Sequence, residues 1–154
     1  MHTDCQNQRG VTLVELLVVV AILGILGGIT GLFLMKYLPE YHLRSASSAL
    51  SQDLKSTQVN ALRRLQTWSV TLVAGSDHTY TISSPSGTFK TVDLKNYGGE
   101  IRLQSIPANP ANPIQFNGEG IRSSDGPAVI EMRNSRGTVI TTEVLRTGAI
   151  RVTR

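Results

Sequence analysis

The 154-residue sequence predicts an α+β fold. One long N-terminal helix, transmembrane in its first half and amphipathic in its second, packs on antiparallel β-sheets. Three observations carry this. An apolar run extends from Val11 to Met35, broken among polar side chains only by Thr12, Glu15 and Thr30. A stripe of apolar residues at helical spacing follows. From Trp68 onward the pattern is one of short runs between turn residues, with no further helical period.

About twenty apolar residues make a helix of about 30 Å, enough to cross a bilayer core. The run carries Gly24, Gly27, Gly28 and Gly31. Gly24/Gly28 and Gly27/Gly31 are spaced i, i+4, which allows close helix approach. One carboxylate, Glu15, sits just inside the start of the run. In lipid it costs on the order of 2–3 kcal/mol at the bilayer centre and less near the interface, so it calls for a neutralising partner.

Pro39 either kinks this helix or begins a new one. Helical periodicity then resumes over residues 40–66. Leu43, Ala46, Leu50, Leu54, Ala61 and Leu65 share one stripe, with Thr57 or Gln58 filling the gap. Arg44, Ser47, Ser48, Ser51, Lys55 and Asn60 fall off it and read as a solvated face. The stripe is expected to pack on a sheet, because propensity alone stabilises an isolated helix poorly.

The β runs are residues 68–74, 78–83, 88–94, 100–106, 114–117, 128–133, 138–146 and 150–153. Gly, Pro, Asn, Asp and Ser clusters separate them. Trp68, Val70, Leu72 and Ala74 alternate onto one face, as do Tyr80 with Ile82, and Ala128 with Ile130 and Met132. Such strands form antiparallel hairpins with one wet face. The Pro-Ala-Asn repeat over residues 107–113 reads as an extended loop.

Composition narrows the function classes. The net charge is +4 and the pI about 9.6, which permits anionic partners without demanding them. The single cysteine, Cys5, precedes the apolar run, so a lipoprotein reading fails. The apolar run is too long for a cleaved secretory signal and lacks a small-x-small site after it. No metal, thiol or phosphate-loop motif occurs, and His42 and His78 are isolated. The expectation is a non-enzymatic protein without a cofactor.

The segment Arg9-Gly10-Val11-Thr12-Leu13-Val14-Glu15, ahead of its apolar helix, resembles the type III signal of type IV pilins and pseudopilins. The resemblance implies that a prepilin peptidase cuts between Gly10 and Val11 and that Val11 becomes the methylated first residue. Glu15 is then the glutamate at the fifth mature position, which serves assembly. The family usually has Phe after the cut, where this chain has Val11. The order of a long helix followed only by β, with Ile114-Gln115-Phe116-Asn117-Gly118-Glu119-Gly120 and the terminal Gly148-Ala149-Ile150-Arg151-Val152, is similar to the GspH/FimT-type domain. That type covers the H-type minor pseudopilin of type II secretion and the T-type minor pilin of type IV pili.

The implied organisation is a leader of residues 1–10, a transmembrane and assembly helix of residues 11–38, and a periplasmic pilin-like domain of residues 39–154. The chain would be a single-pass inner-membrane protein. Its partners would be other pseudopilins or pilins through the N-terminal helix, the prepilin peptidase and an inner-membrane assembly platform. The first function implied is a structural minor pseudopilin of type II secretion; the alternative is a minor pilin of a type IV pilus, for assembly priming or DNA uptake. Some T-type members bind DNA through a Gly-Arg-x-Arg tail. Here Ala149 stands at the first arginine position and only Arg151 matches, so nucleic acid is not an expected partner. Arg151 and Arg154 are the residues for any weak contact, with Arg146 nearby and Arg133 and Arg136 as candidate neighbours across a hairpin.

Overall fold

The computed structural model describes residues 11–73, 78–98, 100–105, 113–123 and 126–153. Gly10 and the rest of the leader, the loop over residues 107–112, and Arg154 lie outside these. The chain divides into two compact units, Met1–Tyr37 and Leu38–Arg154. In the first, every side chain described from Val11 to Gly31 is exposed. Leu13–Gly31 has a mean hydropathy of 2.5 and is long and apolar enough to cross a membrane. A Cβ added at Gly24, Gly27, Gly28 or Gly31 would meet no described residue outside the helix's own backbone within 4 Å, so nothing described packs against these glycines.

Helix α1 is Leu13–Arg64, with Pro39 inside it rather than at the start of a second helix. Proline tolerates this position at the cost of one backbone bond. The Pro39 carbonyl is met by Asn134 Nδ2 at 3.4 Å. The α1 stripe forms the core as its spacing predicts. Leu43, Ala46, Leu50, Leu54, Thr57 and Ala61 are buried, Thr57 rather than Gln58 filling the gap.

Ser47, Leu65 and the half-buried Ser51 depart from the sequence reading. Ser47 is only 3% exposed instead of solvated, because it lies four residues after Leu43, on the flank turned toward Ile140 and Val152. Leu65 leaves the stripe and is 80% exposed. The helix ends one residue earlier, where Gln66 N donates to Ala61 O and Leu65 N to Leu62 O. This closing pattern requires a left-handed residue, and Leu65 supplies it with φ 51. Glycine usually stands there. Leu65→Gly is therefore expected to raise the thermal midpoint by a few degrees, relieving strain of about 1 kcal/mol net of glycine's own entropy cost. A lowered midpoint would show that the exposed leucine contributes contacts.

The strands form two antiparallel sheets. They are β1 (Trp68–Leu72), β2 (Thr79–Ser84), β3 (Gly87–Asp93), β4 (Arg102–Ser105), β5 (Ile114–Phe116), β6 (Ala128–Arg133), β7 (Val139–Val144) and β8 (Ile150–Thr153). A strand appears at each of the eight runs read from the sequence, with bounds that differ by two residues at most; Ala74 and Ile106, at the ends of two runs, lie outside the described residues. The first sheet has the order β3-β2-β1-β5 and the second β4-β6-β7-β8. Register puts apolar side chains side by side on the inner faces: Val70 lies opposite both Ile82 and Ile114, Trp68 opposite Phe116, and Met132 opposite both Leu103 and Ile140. These residues and the α1 stripe make one core.

Two ties fix the helix to the first sheet and its loops. Asp53 accepts Tyr80 OH at 2.7 Å and Lys90 Nζ at 2.8 Å on both carboxylate oxygens. Gln58 Nε2 donates to Gly120 O at 2.8 Å. Nearby, a Cβ on Gly118 would come within 2.9 Å of the Leu65 backbone, so glycine is needed for that approach.

Tyr80 is fully buried. Burial first, then the hydrogen bond and charge of Asp53, push its phenol well above its ordinary value. A raised value means that the neutral phenol is favoured in the fold. Its contribution is complete below about pH 10 and is lost as pH rises beyond it. Thermal midpoints are expected to fall more steeply above about pH 10 in the native chain than in Tyr80→Phe. Equal slopes in melts monitored by Trp68 fluorescence would refute this.

Candidate functional site

The N-terminal candidates lie where α1 begins. Val11 and Thr12 precede the helix, and Thr12 caps it: Glu15 N donates to Thr12 Oγ1 at 3.2 Å and Leu16 N to Thr12 O at 3.2 Å. Thr12-Leu13-Val14-Glu15 thus has the spacing of a capping box, with a carboxylate in the first turn where the helix dipole favours it. Glu15 is exposed and, among the described residues, its carboxylate has no partner. Val11 is 73% exposed. Since Val11 lies outside α1, the i, i+4 geometry that would pair it with Glu15 inside one helix is not formed. Among the described residues none supplies a cation to Glu15. The sequence reading missed Thr12 as the cap, although Thr-x-x-Glu before an apolar run signals it.

Arg151 and Arg133 do not converge, and Arg154 lies outside the described residues. Arg151 lies opposite Glu143 in the β7–β8 register and reaches its carboxylate at 4.0 Å. Arg133 lies opposite Arg102 on the far side of the second sheet, four residues along β6 from the row of Glu143 and Arg151. It is therefore not a neighbour of Arg151 across a hairpin. Glu100, Arg102, Glu131 and Arg133 line a cleft of about 520 Å³ with charges of both signs. Such alternation offers no continuous cationic track for phosphates.

His78 Nδ1 lies 2.5 Å from Ile101 O, and the His42 ring packs against Gly98. Both serve local structure. Among the described residues no three His, Cys, Asp or Glu side chains gather as metal ligands would. Arg122, which the sequence reading did not single out, is 1% exposed. It bridges Phe116, and its N donates to Arg146 O at 2.9 Å, joining the two sheets. No pattern in the turn-rich sequence around it announces that burial.

Residues 5–31 match the family model of the prokaryotic N-terminal methylation motif. No curated protein matches the chain in sequence. Among solved structures, the chain is similar to the type IV minor pilin FimU of Pseudomonas aeruginosa, with 12% identity and a TM-score of 0.63 over 77% of this chain and 92% of that one. It is also similar to the minor pseudopilin EpsH of the Type 2 Secretion System of Vibrio cholerae, with 14% identity and a TM-score of 0.58 over 73% of this chain and 96% of that one. At these identities the likeness establishes the fold. The chain thus joins a prokaryotic N-terminal methylation motif to an α+β fold like that of the minor pilin FimU and the minor pseudopilin EpsH.

Proposed function

We propose that the chain is a non-enzymatic minor pseudopilin of a type II secretion system, inserted through α1 into a periplasmic filament that drives substrate export. The observation that carries this is the head of α1: a methylation motif, a bare apolar helix of membrane-spanning length and one carboxylate at its first turn. Removal of residues 1–10 frees an amino group at Val11, which stays cationic near neutral pH when methylated. In apolar surroundings Glu15 is stable only beside such a charge. With Val11 outside the helix, the amine of an adjacent subunit is the natural counter-ion, and the pair would set the axial register. The prepilin peptidase and an inner-membrane platform are the further partners of this reading.

A minor pilin of a type IV pilus is the second reading, favoured by the FimU-like fold. The position of Ala149 argues against its DNA-binding form. The expected mature chain begins at methylated Val11, as intact-mass measurement of membrane-extracted protein would show. A chain beginning at Met1, or after Met35, overturns the proposal. Glu15→Ala is expected to leave processing and membrane insertion intact while abolishing crosslinks to filament partners. Deleting the gene separates the two readings by loss of secretion or loss of piliation.

A further inference from the structure

The edge formed by β8 carries features that the assembly helix does not use. β8 has β7 on one side and, among the described residues, no strand on the other. Leu145 N donates to Ala149 O at 2.9 Å, which marks Leu145 and Ala149 as a hydrogen-bonded pair. Antiparallel pairs alternate between bonded and non-bonded. Along the register, Glu143 with Arg151 and Thr141 with Thr153 are therefore bonded pairs, while Val144 with Ile150 and Thr142 with Val152 are not. The main-chain N–H and C=O groups of Ile150 and Val152 thus point away from β7, out of the sheet. An edge of this kind is a template for another strand.

A groove of about 310 Å³ runs beside this edge, lined by Arg44, Ser47, Ser48 and Ser51 of α1 and by Ile140 and Val152. Ser47 is only 3% exposed, and among the described residues its Oγ has no hydrogen-bond partner; nor have the buried Ser51 Oγ and Thr142 Oγ1. Buried hydroxyls left unbonded are costly, and a polar group entering the groove would relieve them. Val152 remains 48% exposed on the same side. Serines make up half of the groove's lining, so it suits small apolar or hydroxyl-bearing residues.

Charge selects the occupant. Two copies joined antiparallel through Ile150 and Val152 would set Arg151 directly against its counterpart, a repulsive pairing. The Arg151 side chain is 69% exposed and touches Glu143 only at the limit of an ion pair. An acidic residue opposite it is favourable. We propose that β8 is a strand-addition site for an extended segment of another protein, in which one acidic residue is flanked by two small ones. The segment's main chain bonds Ile150 and Val152, its carboxylate lies over Arg151 on the outer face, and its flanking side chains enter the groove beside Ser47. The site does not rest on the filament reading, since it involves neither Val11 nor Glu15.

The test uses the full chain in detergent micelles and the capped peptide Thr-Val-Glu-Val-Thr. Amide exchange of Ile150 and Val152 is expected to slow several-fold at millimolar peptide, with Arg151 and Thr153, already bonded to β7, unchanged. A peptide with lysine in place of glutamate is expected to bind about fivefold more weakly, and Arg151→Glu to reverse that preference. Val152→Pro removes one outward N–H without breaking a bond to β7, and is expected to abolish protection. Unchanged exchange, equal binding of both peptides or no reversal in Arg151→Glu overturns the proposal. Protection that grows with protein concentration in the absence of peptide would assign the edge to a second copy instead, and overturns it too.

Discussion

Leu54→Asp is expected to unfold the globular unit. Leu54 is fully buried at the middle of the α1 stripe, among residues of both sheets. Losing the leucine side chain costs about 2–5 kcal/mol, and an aspartate there adds the burial of a charge or its protonation. The sum rivals the whole stability of a small domain, about 5–15 kcal/mol. Trp68 is the only tryptophan in the chain and is 3% exposed, so its fluorescence reports the fold directly. The variant in detergent micelles should show a red-shifted emission and no cooperative thermal transition. A native-like transition would mean that the stripe is not the core face.

Gly148→Ala should have the next largest effect. Gly148 has φ 82, a backbone conformation that side chains resist. An added Cβ would overlap Gln58 Nε2 and come within 2.5 Å of Gly120 O. The substitution therefore strains the turn after β7 and displaces the amide of Gln58 from Gly120. Backbone strain of about 1–2 kcal/mol, overpacking of about 1–3 and one lost hydrogen bond of about 1 suggest a loss of about 3 kcal/mol or more. A fall in the thermal midpoint of more than ten degrees is expected, by the usual scaling of about 4 °C or more per kcal/mol. A shift of under two degrees would show that the turn accommodates the methyl by moving. Gln58→Ala is the companion variant, expected to lose only the bond to Gly120.

Periodicity made most of this fold legible before any coordinates. Alternation marked the first, second and sixth strands and turn residues bounded the others, while a helical period placed five apolar residues of α1 in the core with Thr57 between them. The errors arose where tertiary partners overrode local pattern. Leu65 continues the stripe in sequence, but the chain turns left-handed there and takes it out of register. Ser47 is polar, yet the second sheet approaches α1 closely enough to bury it. The N-terminal motif was equally legible because membrane length and a lone carboxylate are properties of sequence. The dispersal of the arginines was not, since it depends on which strands pair and in which order: β6 stands between β4 and β7, so Arg133 faces Arg102 rather than the C-terminal strand.

The core has a consequence for how the molecule is made. The helical stripe is complete once Ala61 has been synthesised, but its covering strands extend to Val144. Ribosomes add about 5–20 residues per second, so the roughly eighty intervening residues leave the stripe incompletely covered for about 4 to 16 seconds. During that time the first sheet, complete at Phe116, can cover only part of this apolar ridge, and the flank that meets β6 and β7 stays bare. The polar residues off the stripe, among them Arg44, Ser48 and Lys55, keep the half-made helix soluble on one side only. A holding chaperone that recognises this ridge would have its natural window between the emergence of Ala61 and the closing of β7, and delayed elongation between those positions should lower the yield of folded protein more than the same delay after Gly148.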